Sequence, residues 1–273
     1  MFKTIDFDAH FSDYVNEWME AHRAEYRNPD AMEADLPKVY LRFLNTPADW
    51  LEGITPGAYF TQFEDPKDLV DWLCAYCENG VSIPDLLLEQ IEQVGKPCEK
   101  RLVALLRSEA GNDAKMTAVG VLRQLDSTLP KMLYIQWQLN REEEDELADN
   151  ALDSLREMGR GAVQQMLEAL PKANSAGQAA LLDVLANYPG YEPVYQAAIR
   201  LFRSRPAQRA LFASYLGKLG DERALPELKR AAEAPETGYV DWIELRSAIE
   251  RLGGTIADRD YSGDPDYEAL HGV

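Results

Sequence analysis

Apolar residues fall at fixed distances before six turn-forming positions along most of the chain. These positions are Gly95, Asp126, Gly159, Gly190, Gly220 and Gly253, spaced 31, 33, 31, 30 and 33 residues apart. One residue before them stand Val94, Leu125, Met158, Pro189, Leu219 and Leu252. Four before stand Ile91, Leu122, Leu155, Ala186, Leu216 and Ile249, and eight before stand Leu87, Ala118, Ala151, Leu182, Phe212 and Leu245. Only Pro189 breaks the apolar rule. Offsets of one, four and eight share one face of a 3.6-residue helix. The pattern therefore predicts six amphipathic helices, each closed by a sharp stop. Glycine takes the left-handed conformation that ends a helix, and aspartate is a poorer substitute.

A second helical segment is predicted between consecutive stops: Pro97–Arg107, Pro130–Asn140, Gly161–Leu170, Glu192–Arg203 and Ala224–Ala232. Pro97, Pro130, Pro193 and Pro226 lie near the starts, where a missing N–H costs no hydrogen bond. No β-alternation of any length interrupts the series. Paired helices recurring at this interval predict an all-α chain whose residues 84–254 form an α-solenoid.

The stretch Gly220-Asp221-Glu222-Arg223-Ala224-Leu225-Pro226-Glu227-Leu228 resembles the opening of a HEAT repeat of the phycobilisome-lyase type. Leu245-Arg246-Ser247-Ala248-Ile249-Glu250-Arg251-Leu252-Gly253 resembles its second helix, and Ala148–Gly159 is a looser match. Elsewhere in residues 84–254 the likeness rests on periodicity, and Asp126 and Pro189 depart from it. The resemblance implies a right-handed α-α superhelix of the HEAT/armadillo kind, about five helix pairs long, and a tendency to bind other macromolecules. It also implies that the second helix of each unit lines the concave surface. Asp149, Asp153 and Arg156 would then face that surface, with Tyr215 and Trp242 bordering it.

Residues 1–83 do not follow the repeat. They hold 14 of the 26 aromatic residues. Helices are predicted over Ser12–Arg27, Ala34–Leu44 and Pro66–Asn79. Between the last two lies a loop, Asn45–Asp65, carrying Trp50, Leu51, Ile54, Tyr59, Phe60 and Phe63. One reading makes these aromatics a helical, aromatic-rich cap over the first repeat, which would otherwise expose its apolar face. The other makes Trp50, Tyr59, Phe60 and Phe63 a partner-binding set, because long loops often carry function and aromatic residues dominate interface hot spots.

Charge narrows the partner. Residues 1–95 carry 19 acidic and 6 basic side chains, whereas residues 96–254 carry 23 and 21. The last segment, 255–273, has 5 and 1 and reads as an acidic extended tail. No basic run is present to neutralise phosphates, so nucleic acid is not the expected partner. The arginines Arg200, Arg203, Arg205 and Arg209 would reopen that question only if they formed one continuous face. The same negative sign repels anionic membrane surfaces, and no apolar stretch is long enough to span a bilayer. A protein partner with a basic or neutral surface fits better. The N-terminal residues lack the features of a secretory signal and the three cysteines suggest no disulfide framework. A cytoplasmic protein is expected.

Candidate chemistry is sparse. Cys74 and Cys77 have C-x-x-C spacing, but only Cys98 remains to join them, and His10, His22 and His271 show no ligand spacing. Cysteines packed on a helix are the expected reading, and no metal or cofactor is expected. Asp258–Glu268 begins like a calcium loop, with oxygen ligands at alternate positions and Gly263 at the sixth. Ala269 then stands where a closing glutamate belongs. The run Glu142–Glu146 is accounted for by a helix N-terminus. No nucleophile elbow, P-loop or dinucleotide-binding glycine pattern occurs. The sequence therefore points to a non-enzymatic protein-binding or scaffolding module. Its alternatives are a HEAT-fold enzyme or lyase-like cofactor-handling protein, and a module regulated by calcium through the tail.

Overall fold

A computed structural model describes residues 3–272. Among the described residues the chain forms sixteen α-helices joined by short 3-10 turns and loops, with no strand. It divides into two compact units, one ending at Pro130 and one beginning at Lys131. That division falls well beyond Pro84, where the sequence pattern changes.

The first unit contains α1 (Phe7–His22), α2 (Pro29–Glu33), α3 (Leu36–Asn45), α4 (Pro66–Asn79), α5 (Asp85–Val94), α6 (Lys96–Leu106) and α7 (Asn112–Gln124). Helix α1 starts five residues before the predicted Ser12, because Asp6 accepts a hydrogen bond from the Ala9 amide at 2.9 Å and caps it. It stops at His22 rather than Arg27, and a 3-10 turn follows over Arg23–Glu25. Helix α2 was not legible from periodicity. Asn28 caps it through the Ala31 amide at 2.9 Å, with Pro29 in its first turn. Helix α4 keeps the predicted bounds.

The residues before α1 are held along α4. The Ile5 amide donates to the Tyr76 hydroxyl at 3.2 Å, and that hydroxyl donates to the Ile5 carbonyl at 3.1 Å. The Trp72 indole N–H donates to the Lys3 carbonyl at 3.0 Å. Tyr76 is wholly buried, so these bonds satisfy polar groups that burial would otherwise leave without partners.

The second unit contains α8 (Lys131–Leu139), α9 (Glu146–Glu157), α10 (Arg160–Ala169), α11 (Ser175–Leu185), α12 (Glu192–Ser204), α13 (Arg209–Leu219), α14 (Leu225–Glu233), α15 (Tyr239–Arg251) and α16 (Pro265–His271). Helices pack on close neighbours in sequence: α8 on α9, α10 and α11; α12 on α13; α13 on α15; α14 on α15. Two glycines permit close approach. A Cβ on Gly177 would lie 1.9 Å from the Gln138 carbonyl oxygen, and one on Gly217 would lie 3.0 Å from the Ala248 Cα.

All six predicted stops have positive φ: 73° at Gly95, 51° at Asp126, 57° at Gly159, 95° at Gly190, 69° at Gly220 and 76° at Gly253. All twelve residues four and eight positions before them have 0% exposure. The stripe one residue before the stops behaves differently. Leu219 and Leu252 are buried, Val94, Leu125 and Met158 half-buried, and Pro189 exposed. Helix α11 ends at Leu185, before Gly190, because Pro189 cannot continue it. Each fully buried Leu or Ile of the inner stripe contributes about 1.5–3 kcal/mol of transfer free energy.

The C-terminal segment is not extended throughout. Asp264 caps α16 through the amides of Asp266 and Tyr267 at 3.0 and 3.2 Å, and also accepts from the Tyr239 amide at 3.1 Å. Tyr261 is buried over Trp242, with ring centroids 5.5 Å apart.

Candidate functional site

Helices α9, α11 and α13 together line an open groove of about 410 Å³ in the second unit. Its floor is the α11 face formed by Ala176, Ala179 and Ala180, all half-buried. The i, i+3, i+4 spacing puts all three on one side of the helix. Helix α9 contributes Asp149, Leu152, Asp153 and Arg156, and α13 contributes Leu211 and Tyr215. Leu211 is 40% exposed.

The charges around this floor are mostly engaged with one another. Arg156 bonds Asp153 on its own helix and Asp183 on α11, the second at 2.5 Å. Lys218 stands 3.6 Å from the other oxygen of Asp183. Burial, with the nearby Asp183 charge, pushes the Tyr215 hydroxyl well above the ordinary tyrosine range. Tyr215 is therefore a neutral hydroxyl rather than a phenolate at neutral pH. At the other end, Arg141 is nearly buried and donates to the Gln138 amide oxygen at 3.1 Å, the Glu142 carbonyl at 3.2 Å and Asp149 at 2.6 Å. Arg205 donates to Gln208 at 2.8 Å and lies 3.9 Å from Glu143. Three arginines and four carboxylates thus line the groove, most of them paired with one another, so its formal charge is close to balanced.

Its position depends on two local devices. The Asn174 side chain accepts from the Gly177 amide at 2.8 Å, capping α11, and donates to the Arg141 carbonyl at 2.8 Å. The Asn174 amide donates to the Leu139 carbonyl at 2.7 Å. These bonds, with the close approach at Gly177, fix the start of α11 against the end of α8.

No family model, curated protein or solved structure matches the chain.

The groove brings together four of the five residues read from sequence as concave-face candidates: Asp149, Asp153, Arg156 and Tyr215. Trp242 is not among them. It is buried beneath Tyr261 and carries Arg246 over its ring at 5.2 Å. Periodicity could not anticipate this, because the covering residue lies in the acidic tail. Arg141, Asp183 and the alanine floor were missed. The segment Ser175–Leu185 is too uniformly apolar for its pattern to single out an open face, and Arg141 precedes its helix.

The loop candidates divide differently. Phe60 is buried and cannot be a contact for a partner. Its ring packs 5.1 Å from those of Tyr59 and Trp72 and 5.5 Å from that of Phe7. Tyr59 and Phe63 are half-buried, with Phe63 edge-on to Trp72 at 4.9 Å. Trp50 is half-buried and stacks on His10 at 3.9 Å. Three 3-10 turns, Asp49–Leu51, Pro56–Ala58 and Phe60–Gln62, fold the loop so that Tyr59 meets Phe60 and Phe63 while Trp50 meets Phe7, His10 and Phe43.

Burial pushes the thiols of Cys74 and Cys98 up to about 11, and also raises that of Cys77. All three cysteines are free thiols, protonated at neutral pH. In the tail, Asp258 pairs with Arg246 at 2.5 Å, Asp260 accepts from Ser262, and Asp264 caps α16. Among the described residues no group of three His, Cys, Asp or Glu side chains is arranged to hold a metal ion. Arg200, Arg203, Arg205 and Arg209 do not form one face. They meet Gln178, Glu227, Gln208 and the Phe202 ring respectively.

Proposed function

We propose that this chain is a non-enzymatic protein-binding module that receives an amphipathic helical segment of a partner in the α9–α11–α13 groove. The observation that carries this reading is the alanine floor between the charged α9 wall and the Leu211 and Tyr215 wall of α13. Small residues let a helix backbone approach closely. Leu152 and exposed Leu211 supply apolar contact beside the floor, and the paired charges form a polar rim. A partner with a neutral or weakly basic face suits this balance and the acidic character of the chain as a whole. The second unit's helix pairs α8/α9, α10/α11, α12/α13 and α14/α15, each closed by a left-handed stop, support a HEAT-like array in which α9, α11 and α13 present the concave side.

The test is affinity capture with wild type beside Ala179→Trp, which fills the floor, and Ala58→Trp, which places the same bulk on an exposed turn of the first unit. Each variant is first checked for native circular dichroism. A partner captured by wild type and Ala58→Trp but lost from Ala179→Trp supports the groove. Retention by Ala179→Trp overturns it.

A further inference from the structure

A second cleft lies in the first unit, and two of its rings, Phe7 and Phe43, are backed by the loop aromatic Trp50 at 5.3 and 6.4 Å. Phe7, Phe11, Tyr40 and Phe43, from α1 and α3, line a space of about 130 Å³ closed on its far side by the start of α5. The rings are mutually braced. Phe11 lies edge-on to Tyr40 at 4.9 Å and tilted to Phe43 at 5.2 Å, while Tyr40 and Phe43 stack at 6.4 Å. Tyr40 is the exposed member of the set.

The charged groups lining the cleft are both carboxylates, Asp8 and Asp85, and no Lys, Arg or His lines it. Among the described residues neither carboxylate has an ion-pair partner. Each sits in the first turn of its helix, where the helix dipole favours a negative charge without a counter-ion. Glu89 lies close enough to join them in raising the Tyr40 hydroxyl above its ordinary range, although burial is the larger cause. The site thus sets the more accessible rings of Tyr40 and Phe11, over buried Phe7 and Phe43, beside unneutralised negative charge. That combination attracts a cation and repels an anion. The space is smaller than the 300–1,000 Å³ typical of pockets for whole drug-sized ligands, so it fits a head group. Leu44, Ile83 and Leu86 complete the lining. Their side chains pack well on methyl groups, and the more strongly hydrated ammonium of an unmodified lysine would give up water against them.

We propose that this cleft binds a methylated ammonium head group, carried on a modified lysine of a protein partner or on a small choline-like amine. The inference is independent of the α9–α11–α13 groove, which shares no residue with it.

The test is an NMR titration of the full chain with choline, with the capped amino acid trimethyllysine, with capped unmodified lysine, and with the uncharged carbon isostere of choline. Saturable binding of choline or trimethyllysine is expected, with the isostere at least about tenfold weaker because it lacks the charge that the rings attract, and unmodified lysine at least about tenfold weaker because its ammonium is more strongly hydrated. Tyr40→Ala and Asp85→Asn should each weaken binding by about fivefold to tenfold, while Tyr191→Ala, at an exposed tyrosine of the second unit, leaves it unchanged. Tighter binding of trimethyllysine assigns the head group to a protein side chain, and tighter binding of choline assigns it to a free amine. The proposal is overturned by no saturable binding of either cation, by equal binding of the isostere or of unmodified lysine, or by binding that survives in both cleft variants.

Discussion

Tyr76 shows how one side chain can join distant parts of a chain. Its hydroxyl both accepts from and donates to Ile5, 71 residues away, inside a fully buried site. Burial pushes this hydroxyl up to about 12, against about 10 in an unfolded chain. Below pH 10 both states hold the proton and the native contacts keep their full value. Between pH 10 and pH 12 the unfolded state releases its proton while the folded state keeps it, so stability falls as pH rises. Tyr76→Phe should cost about 1–2 kcal/mol at pH 8, because it leaves the Ile5 amide and carbonyl without partners. It should also flatten the decline above pH 10. Urea unfolding of both proteins at pH 8, 10 and 11 checks both effects, and parallel slopes would refute the assignment. None of this pairing was legible in sequence. Tyr76 reads there as one more apolar position on a helix, and nothing in the Lys3–Asp6 segment announces that it lies along α4.

At the scale of the helix, the inner stripe and the stops were readable because each rests on a local cause. A residue four or eight positions before a stop is carried inward by helical geometry alone, whatever the helix packs against. The starts were harder: α1 begins at a cap, Asp6, that lies outside the apolar pattern, and α2 is too short to show a period. Asp126 is the one predicted stop made by a side-chain-bearing residue, at φ 51°. A left-handed conformation costs an L-residue about 1–2 kcal/mol, less for aspartate, and part of that is offset by the greater chain entropy of glycine when unfolded. Asp126→Gly is therefore expected to stabilise the protein by about 0.5 kcal/mol. A higher urea midpoint with unchanged slope would show it, whereas a lower midpoint would mean that the aspartate side chain contributes more than its backbone costs.

For the whole chain, charge is the property that sequence conveyed most directly and packing the one it conveyed least. The 19 acidic and 6 basic side chains of residues 1–95 include only two ion pairs among the described residues, Lys38–Asp35 and Lys67–Asp71. Mutual repulsion should therefore weaken the fold at low ionic strength. Raising sodium chloride from about 20 to about 200 mM shortens the screening length from roughly 20 Å to below 10 Å and should raise the melting temperature by about 2 °C. A fall would mean that the ion pairs of the second unit outweigh this repulsion. The groove could be half foreseen, because α9 carries its polar face in its own periodicity. Its floor could not, since it depends on which face α11 leaves open, and the tail's burial of Trp242 is likewise a tertiary fact. The left-handed stops also bear on how such a chain can change length. A residue inserted within a helix turns everything before it by about 100° relative to the stop, swinging the inner stripe away from the core. A residue inserted just after a stop leaves that relation intact. The room for such a change lies in the links between helices: α6 and α10 begin directly after Gly95 and Gly159, whereas residues 140–145 before α9 and 234–238 before α15 can lengthen or shorten without turning either stripe relative to its stop.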